Sequence, residues 1–274
     1  MLPPLDYLKG WVFMKICTLA SSSSGNCTLV SQGSTHILID AGISLRRITA
    51  SLRQFGISPD ELQGVLITHE HSDHISGIKM LVKYHKIPVL APLGVAEALC
   101  GTLPEARDAI TWFQAGTEFV LGEIAVRSFL TPHDTPESVG YRFDTDRSSL
   151  VFATDIGCVT QTILDAALGA HMAVIEANHD IRMLKCGSYP MYLKRRILSE
   201  RGHLSNDDSG RLAVRLAASG TRKIVLAHLS RENNTPRLAY DTVGGALQRQ
   251  GAAVGGDIEL ETAPPDCMGR VYIV

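Results

Sequence analysis

The chain has 274 residues, 45% of them hydrophobic and 20% charged, with a formal net charge of −2. That is ordinary globular composition, long enough to bury a sizeable core in one large domain or two small ones. The balance excludes a globally basic chain, although a basic face hides easily in a neutral total.

The first stretch, LPPLDYLKGWVF, is apolar but lacks a basic start and a cleavage site, so no secretory leader is apparent. MKICTLA, from Met14, reads as a clean first strand. Residues 1–13 are therefore expected to be an extension or a mis-assigned start, ahead of a working domain at 14–274.

Strands are predicted at 15–20, 27–31 and 36–40, then a helix near 45–55. GVLIT (64–68) is a buried strand, followed by helical spacing over 75–85 and a strand at 88–92. A meander follows in EFVLG, IAVRSFL, VGYRF and SLVFAT. The back half predicts helices at 160–168, 191–200, 205–219 and 235–250, with Ser205 or Asn206 capping the third. Strands are expected between them at 172–177 and 223–228. Strands and helices recur in both halves, which suggests two similar α/β layers packed face to face. No apolar run reaches the ~20 residues that span a bilayer, so no membrane partner is expected. Six cysteines, at 17, 27, 100, 158, 186 and 267, form no CxxC pair. This disfavours a thiolate zinc knuckle and fits a reducing cytoplasm.

The chemistry concentrates in THEHSDH (68–74), directly after the buried strand. Imidazoles and carboxylates in such a setting are costly unless something neutralises and organises them. His69 and His71, at i and i+2, can point at one metal from a tight turn, and Asp73 with His74 at a second. Imidazole nitrogen and carboxylate oxygen are zinc-type ligands that also accept manganese or iron. Three further polar residues end apolar runs: His133 after RSFLTP, Asp155 after LVFAT and His228 after IVLA. Strand ends are rigid positions from which side chains reach a shared cleft.

HxHxDH followed by His, Asp and His after strands resembles the metallo-β-lactamase superfamily, and LIDAG with Asp40 is similar to its first motif. The resemblance implies an αββα sandwich with a dinuclear site at one edge of the two central sheets. It assigns His69, His71 and His133 to one metal, Asp73, His74 and His228 to the other, and Asp155 to a bridge. Asp40 would orient ligands without binding metal. The implied chemistry is hydrolysis by a metal-bound hydroxide between two divalent ions, Zn2+ or Mn2+. Asp73 would serve that chemistry as well as the metal.

The superfamily spans many substrates, so the fold alone decides little. An intact HxHxDH disfavours the flavodiiron branch, and Asp155 stands where the best-known zinc β-lactamases carry Cys. The segment from GHLSN to AHLSREN is similar to the GHST-helix-strand-His arrangement of tRNA 3′-processing nucleases, with LSN in place of ST. That implies a role for His203 in protonating the leaving oxygen or binding the phosphate. LASSSSGN, LIDAG, EANHD, GHLSN and AHLSRENN together resemble the YycJ/WalJ subfamily. The resemblance implies cleavage of phosphodiesters in nucleic acid, DNA foremost, by a 5′-to-3′ exonuclease.

Ser23, Ser24 and Asn26 of SSSSGN, with Asn178, are expected near substrate phosphates; a Ser/Gly turn is the plainer reading of the first three. Arg46, Arg47, Lys194, Arg195, Arg196 and Arg201 would contact phosphates or form solvated helix faces. His36, His85 and His171 read as structural. The competing expectations are a small-molecule hydrolase of thioesterase or glyoxalase II type, and a binding protein with a purely structural metal.

Overall fold

The computed structural model describes residues 13–274, so the expected extension at 1–13 lies outside the described residues apart from Phe13. The first sheet contains β1 (Lys15–Ser22), β2 (Gly25–Gln32), β3 (Thr35–Ile39), β4 (Gly64–Leu66), β5 (Val89–Pro92), β6 (Ile110–Phe113) and β14 (Tyr272–Ile273). Its seven strands run in the order β14-β1-β2-β3-β4-β5-β6. The second contains β7 (Glu118–Leu121), β8 (Ile124–Leu130), β9 (Val139–Asp144), β10 (Ser149–Ala153), β11 (Met172–Glu176), β12 (Lys223–Ala227) and β13 (Glu259–Thr262), in the order β13-β12-β11-β10-β9-β8-β7. Each sheet is an antiparallel meander that turns parallel, at β3/β4 in one and β10/β11 in the other. The carboxyl ends of those parallel strands meet at one edge, the usual ligand position in such sheets.

Alternation along the strands decides the layering. In β3, Ile37 and Ile39 pack between the sheets while Leu38 faces outward. In β12, Val225 and Ala227 point inward while Ile224 and Leu226 point outward. Outward residues of the first sheet meet α1 (Leu45–Arg53), α3 (Ile78–His85) and α4 (Leu93–Thr102). Those of the second meet α5 (Gln161–Ala167), α8 (Asn206–Ala218) and α9 (Pro236–Arg249). This is the expected αββα sandwich. Each fully buried Leu or Ile contributes roughly 1.5–3 kcal/mol, so the strands are fixed in register on both faces. Near the edge that carries the site, the Tyr141 hydroxyl of β9 donates to the Ile67 carbonyl at 2.5 Å and ties the sheets together.

Differences from the sequence expectation have local causes. The helical spacing over 75–85 is two helices, α2 (Ser72–Ile75) and α3, with Gly77 between them. A Cβ on Gly77 would lie 2.3 Å from the Ile43 carbonyl oxygen, so the chain bends where only glycine allows contact. Asp73 and His74 therefore sit on a short helix rather than in a turn. α4, β6, β13, β14 and α6 (Ile181–Cys186) escaped the sequence pattern. α4 leaves β5 directly through Pro92 with no side-chain cap, and β14 has only two residues. α7 (Met191–Ile197) and α8 were expected, and Ser205 is the cap of α8, accepting from the Asp208 amide at 3.2 Å.

Candidate metal centre

Three strand ends turn into the site by the same backbone device. Asp40 after β3, Asp155 after β10 and His228 after β12 have φ of 58°, 57° and 56°. Left-handed backbone at non-glycine residues costs about 1–3 kcal/mol and persists where surroundings hold it. Here it directs each side chain across the sandwich edge.

The THEHSDH segment supplies the near wall. His71 is the extended N-cap of α2, so His69 and His71 project before the helix and Asp73 and His74 from within it. Gly42 of LIDAG makes room for this: a Cβ there would fall 1.6 Å from the Asp73 carbonyl oxygen. His69 Nε2 lies 3.0 Å from His71 Nδ1, and His133 Nε2 lies 3.3 Å from the same atom. These three form one compact donor group. Asp73, His74 and His228 form a second: His74 Nε2 lies 3.4 Å and His228 Nε2 3.6 Å from Asp73 Oδ2. Asp155 reaches both, with Oδ2 3.5 Å from His74 Nε2 and Oδ1 3.9 Å from His133 Nε2.

Buried contacts orient these groups. Asp40 accepts from the Thr68 amide at 2.8 Å and meets His74 Nδ1 at 2.7 Å, which turns His74 Nε2 toward the site. His133 Nδ1 is held by the Gly202 carbonyl at 3.1 Å. Glu176, at the end of β11, was missed by sequence reasoning. Its Oε1 meets His203 Nδ1 at 2.8 Å and His228 Nδ1 at 2.9 Å, while Oε2 accepts from the Ile156 and Leu204 amides at 2.8 and 3.0 Å. Asp155, Glu176, His203 and His228 are close enough to hold an ion together. With both oxygens of Glu176 already occupied, we read it as the residue that aims two imidazoles. The available signal was an acidic residue ending the apolar run MAVI, the pattern that singled out His133, Asp155 and His228.

Electrostatics divide the two groups. Burial pulls the pKa of His69 well below its usual value, with His74 and His133 adding to it, and burial lowers His133 too. Both shifts favour the neutral imidazole that a metal ligand must be. Burial also opposes charge on His74 and His228, but carboxylates win there. Asp40 and Asp155 hold His74 well above the usual range, and Asp155 helps raise His228 to about 10. Burial pushes Asp73 up, yet the neighbouring His228 and His74 rings leave it far below an ordinary carboxylate.

The other expected residues fall in different settings. Asn26 is buried, and its amide faces Asp73 Oδ2 at 3.2 Å and His74 Nε2 at 3.1 Å. Ser23 and Asn178 line a cavity that adjoins His203, and Ser24 is exposed in the β1–β2 turn. Arg201 donates to the His133 and Thr135 carbonyls at 2.9 and 3.0 Å, and buried Lys194 donates to those of Lys185 and Gly187. Lys194 is a buried strut, whereas Arg201 is exposed and braces the segment that carries His133. Arg47 donates to the Asp266 carbonyl, Arg46 and Arg195 are exposed, and Arg196 pairs with Asp134 beside the site. His36, His85 and His171 bond to Ser31, Asp60 and Ser149.

A family model described as "Beta-lactamase superfamily domain" matches residues 35–229. The chain belongs to the metallo-β-lactamase superfamily. It is 37% identical over 257 residues to "Exodeoxyribonuclease WalJ" of Streptococcus pneumoniae serotype 2, covering 92% of this chain and 95% of that one. It is 36% identical over 259 residues to "Exodeoxyribonuclease YycJ" of Bacillus anthracis, covering 93% and 97%. In fold it is similar to Zn(2+)-bound PqqB from Methylobacterium extorquens, with a TM-score of 0.71, 16% identity and coverage of 95% and 100%. The superfamily implies divalent metal ions. The residues fit them: Asp155 Oδ2 and His228 Nε2 are buried within the donor cluster without a hydrogen-bond partner among the described residues. No helix among the described residues is long and apolar enough to cross a membrane.

Proposed function

We propose that this protein is a metal-dependent exodeoxyribonuclease that hydrolyses phosphodiester bonds of DNA from the 5′ end. The observation that carries this is His203, a partly exposed imidazole locked to Glu176 and 3.6 Å from Asp155, in a chain similar to two exodeoxyribonucleases over nearly its whole length.

In this reading His69, His71 and His133 hold one ion, Asp73, His74 and His228 a second, and Asp155 joins them. Zinc or manganese suits such donors. Two divalent ions held there would lower the pKa of a water and polarise the phosphate oxygens. The chain's own groups do the rest. Asp73, on the rim, orients the attacking water. As the water oxygen bonds to phosphorus, the bond from phosphorus to the leaving sugar oxygen breaks and a water proton passes to solvent. His203 gives its Nε2 proton to the leaving oxygen, while Glu176 fixes Nδ1. Ser23, Ser24 and Asn178 are proposed contacts to the substrate strand, with Asn26 steadying the ligands. The acting unit is taken as residues 14–274, in a cytoplasm where the six cysteines stay unpaired.

Metal-reconstituted protein is incubated with 5′-labelled and 3′-labelled duplex DNA, with Mn2+ or Zn2+. Stepwise release of the 5′ label, absent in Asp155→Ala, is expected. Turnover of S-lactoylglutathione without any cleavage of DNA would replace this reading with a small-molecule hydrolase.

A further inference from the structure

Beside the ligand cluster lies a cavity of about 140 Å³ that no part of the metal chemistry requires. His203 is a wall common to both. α7 supplies the apolar side with Leu193 and Ile197, joined by the ring of Tyr189 from the segment just before it. Asn178 and Ser230 supply the polar side. The Asn178 amide nitrogen is committed to the His228 carbonyl at 3.0 Å, and its oxygen has no partner among the described residues. Arg196 stands at the rim, about half exposed; Nε pairs with Asp134, and its Nη groups make no hydrogen bond among the described residues.

Size and lining restrict the occupant. An apolar cavity of about 150 Å³ takes one benzene ring. A flat aromatic heterocycle with polar edges satisfies both the aliphatic and tyrosyl walls and the amide and hydroxyl. A sugar alone would leave the apolar wall unused. The outward guanidinium suits the phosphate attached to such a ring.

We propose that this cavity is the pocket for the base of the terminal nucleotide of a DNA strand, with Arg196 on that nucleotide's own phosphate. This rests on the nuclease reading above and adds to it. His203 protonates the leaving oxygen, so the nucleoside beside it is the one that departs. A pocket for one base on that side releases one nucleotide at a time. When the departing atom is a 3′ oxygen, the released nucleotide is the 5′-terminal one.

Two ratios test this. The metal-loaded protein is titrated with dAMP and with deoxyribose 5-phosphate, and dAMP is expected to bind at least about fivefold more tightly, the low end of what stacking one base contributes. Duplexes with a normal or an abasic 5′-terminal nucleotide are then compared, and removal of the first abasic residue is expected to be slower by a similar factor. Leu193→Trp fills the cavity and should erase both preferences. Tyr189→Ala, at a partly exposed position, should weaken both. Equal binding of the two phosphates, or preferences unchanged in folded Leu193→Trp, would overturn the pocket. If the wild type cuts no DNA yet hydrolyses bis(p-nitrophenyl) phosphate, the nuclease reading falls, and the binding ratio still decides what the cavity holds.

Discussion

The two walls of the site are built in opposite ways. The first sheet presents His69, His71, Asp73 and His74 from one short run, oriented by Asp40 and Thr68 just below. The second presents His133, Asp155, Glu176, His203 and His228 from separate strand ends and loops, and Glu176 ties the last two to a pair of backbone amides. The near wall is a local motif with a glycine-cleared floor. The far wall exists only once β10, β11 and β12 lie side by side. The near wall thus consists of metal-type donors alone, while the far wall also carries His203, the group proposed to face the substrate.

The sharpest way to break this comparison is to remove the residue that joins the walls. Asp155→Ala should lower kcat/KM by about a thousandfold, since metal-centred charge stabilisation is worth several kcal/mol. Bound metal, measured by atomic emission, should fall with it; a variant that keeps both would sink the joining role. Next is pH. His74 and His228 hold protons in the metal-free protein and must release them to ligate, so binding should liberate about two protons per chain near pH 7. Affinity should then rise steeply with pH, by up to about a hundredfold per unit. Calorimetry in buffers of different ionisation enthalpy counts the protons, and a count of zero would remove the electrostatic account.

Asp40→Asn and Glu176→Gln compare the walls directly. Supporting residues of this kind typically change metal affinity or activity by about 10–100-fold. Asp40→Asn should act mainly on metal affinity through His74. Glu176→Gln should lower kcat even at saturating metal, because it also releases His203. Equal effects on metal affinity, with kcat spared in both, would leave Glu176 no part in the chemistry.

The same contrast explains what the sequence could disclose. The near wall was legible because its residues are adjacent and follow an apolar strand. His133, Asp155 and His228 were legible one at a time, as polar residues closing apolar runs, and gained meaning from the resemblance. Glu176 meets the same criterion but reads as the last residue of a strand, because its partners His203 and His228 lie in two other segments. Arg201 and Lys194 read as basic surface, although each donates to backbone carbonyls. Charge type is visible in sequence; the direction a long side chain takes is set by packing. The left-handed turns at Asp40, Asp155 and His228 leave no trace in composition. Among the elements, long periodic helices and the meander were legible, whereas β14 and α6 are too short to carry a period.

The smallest effect concerns His179, next to the far wall. It is buried, both ring nitrogens lack a partner among the described residues, and burial lowers its pKa to about 4. The unfolded chain takes up this proton near pH 6.5 and the folded chain only near pH 4, so the contribution is fully present above pH 6.5 and is lost as pH falls. From pH 8 to pH 6 the loss is about 1 kcal/mol. His74 and His228 move the opposite way, since their folded values are raised, so the total curve mixes the signs. Urea denaturation of wild type and His179→Asn at both pH values isolates the term: the variant should lose about 1 kcal/mol less on acidification. If both proteins lose the same amount, His179 has found a proton-compatible partner and the far wall tolerates charge there.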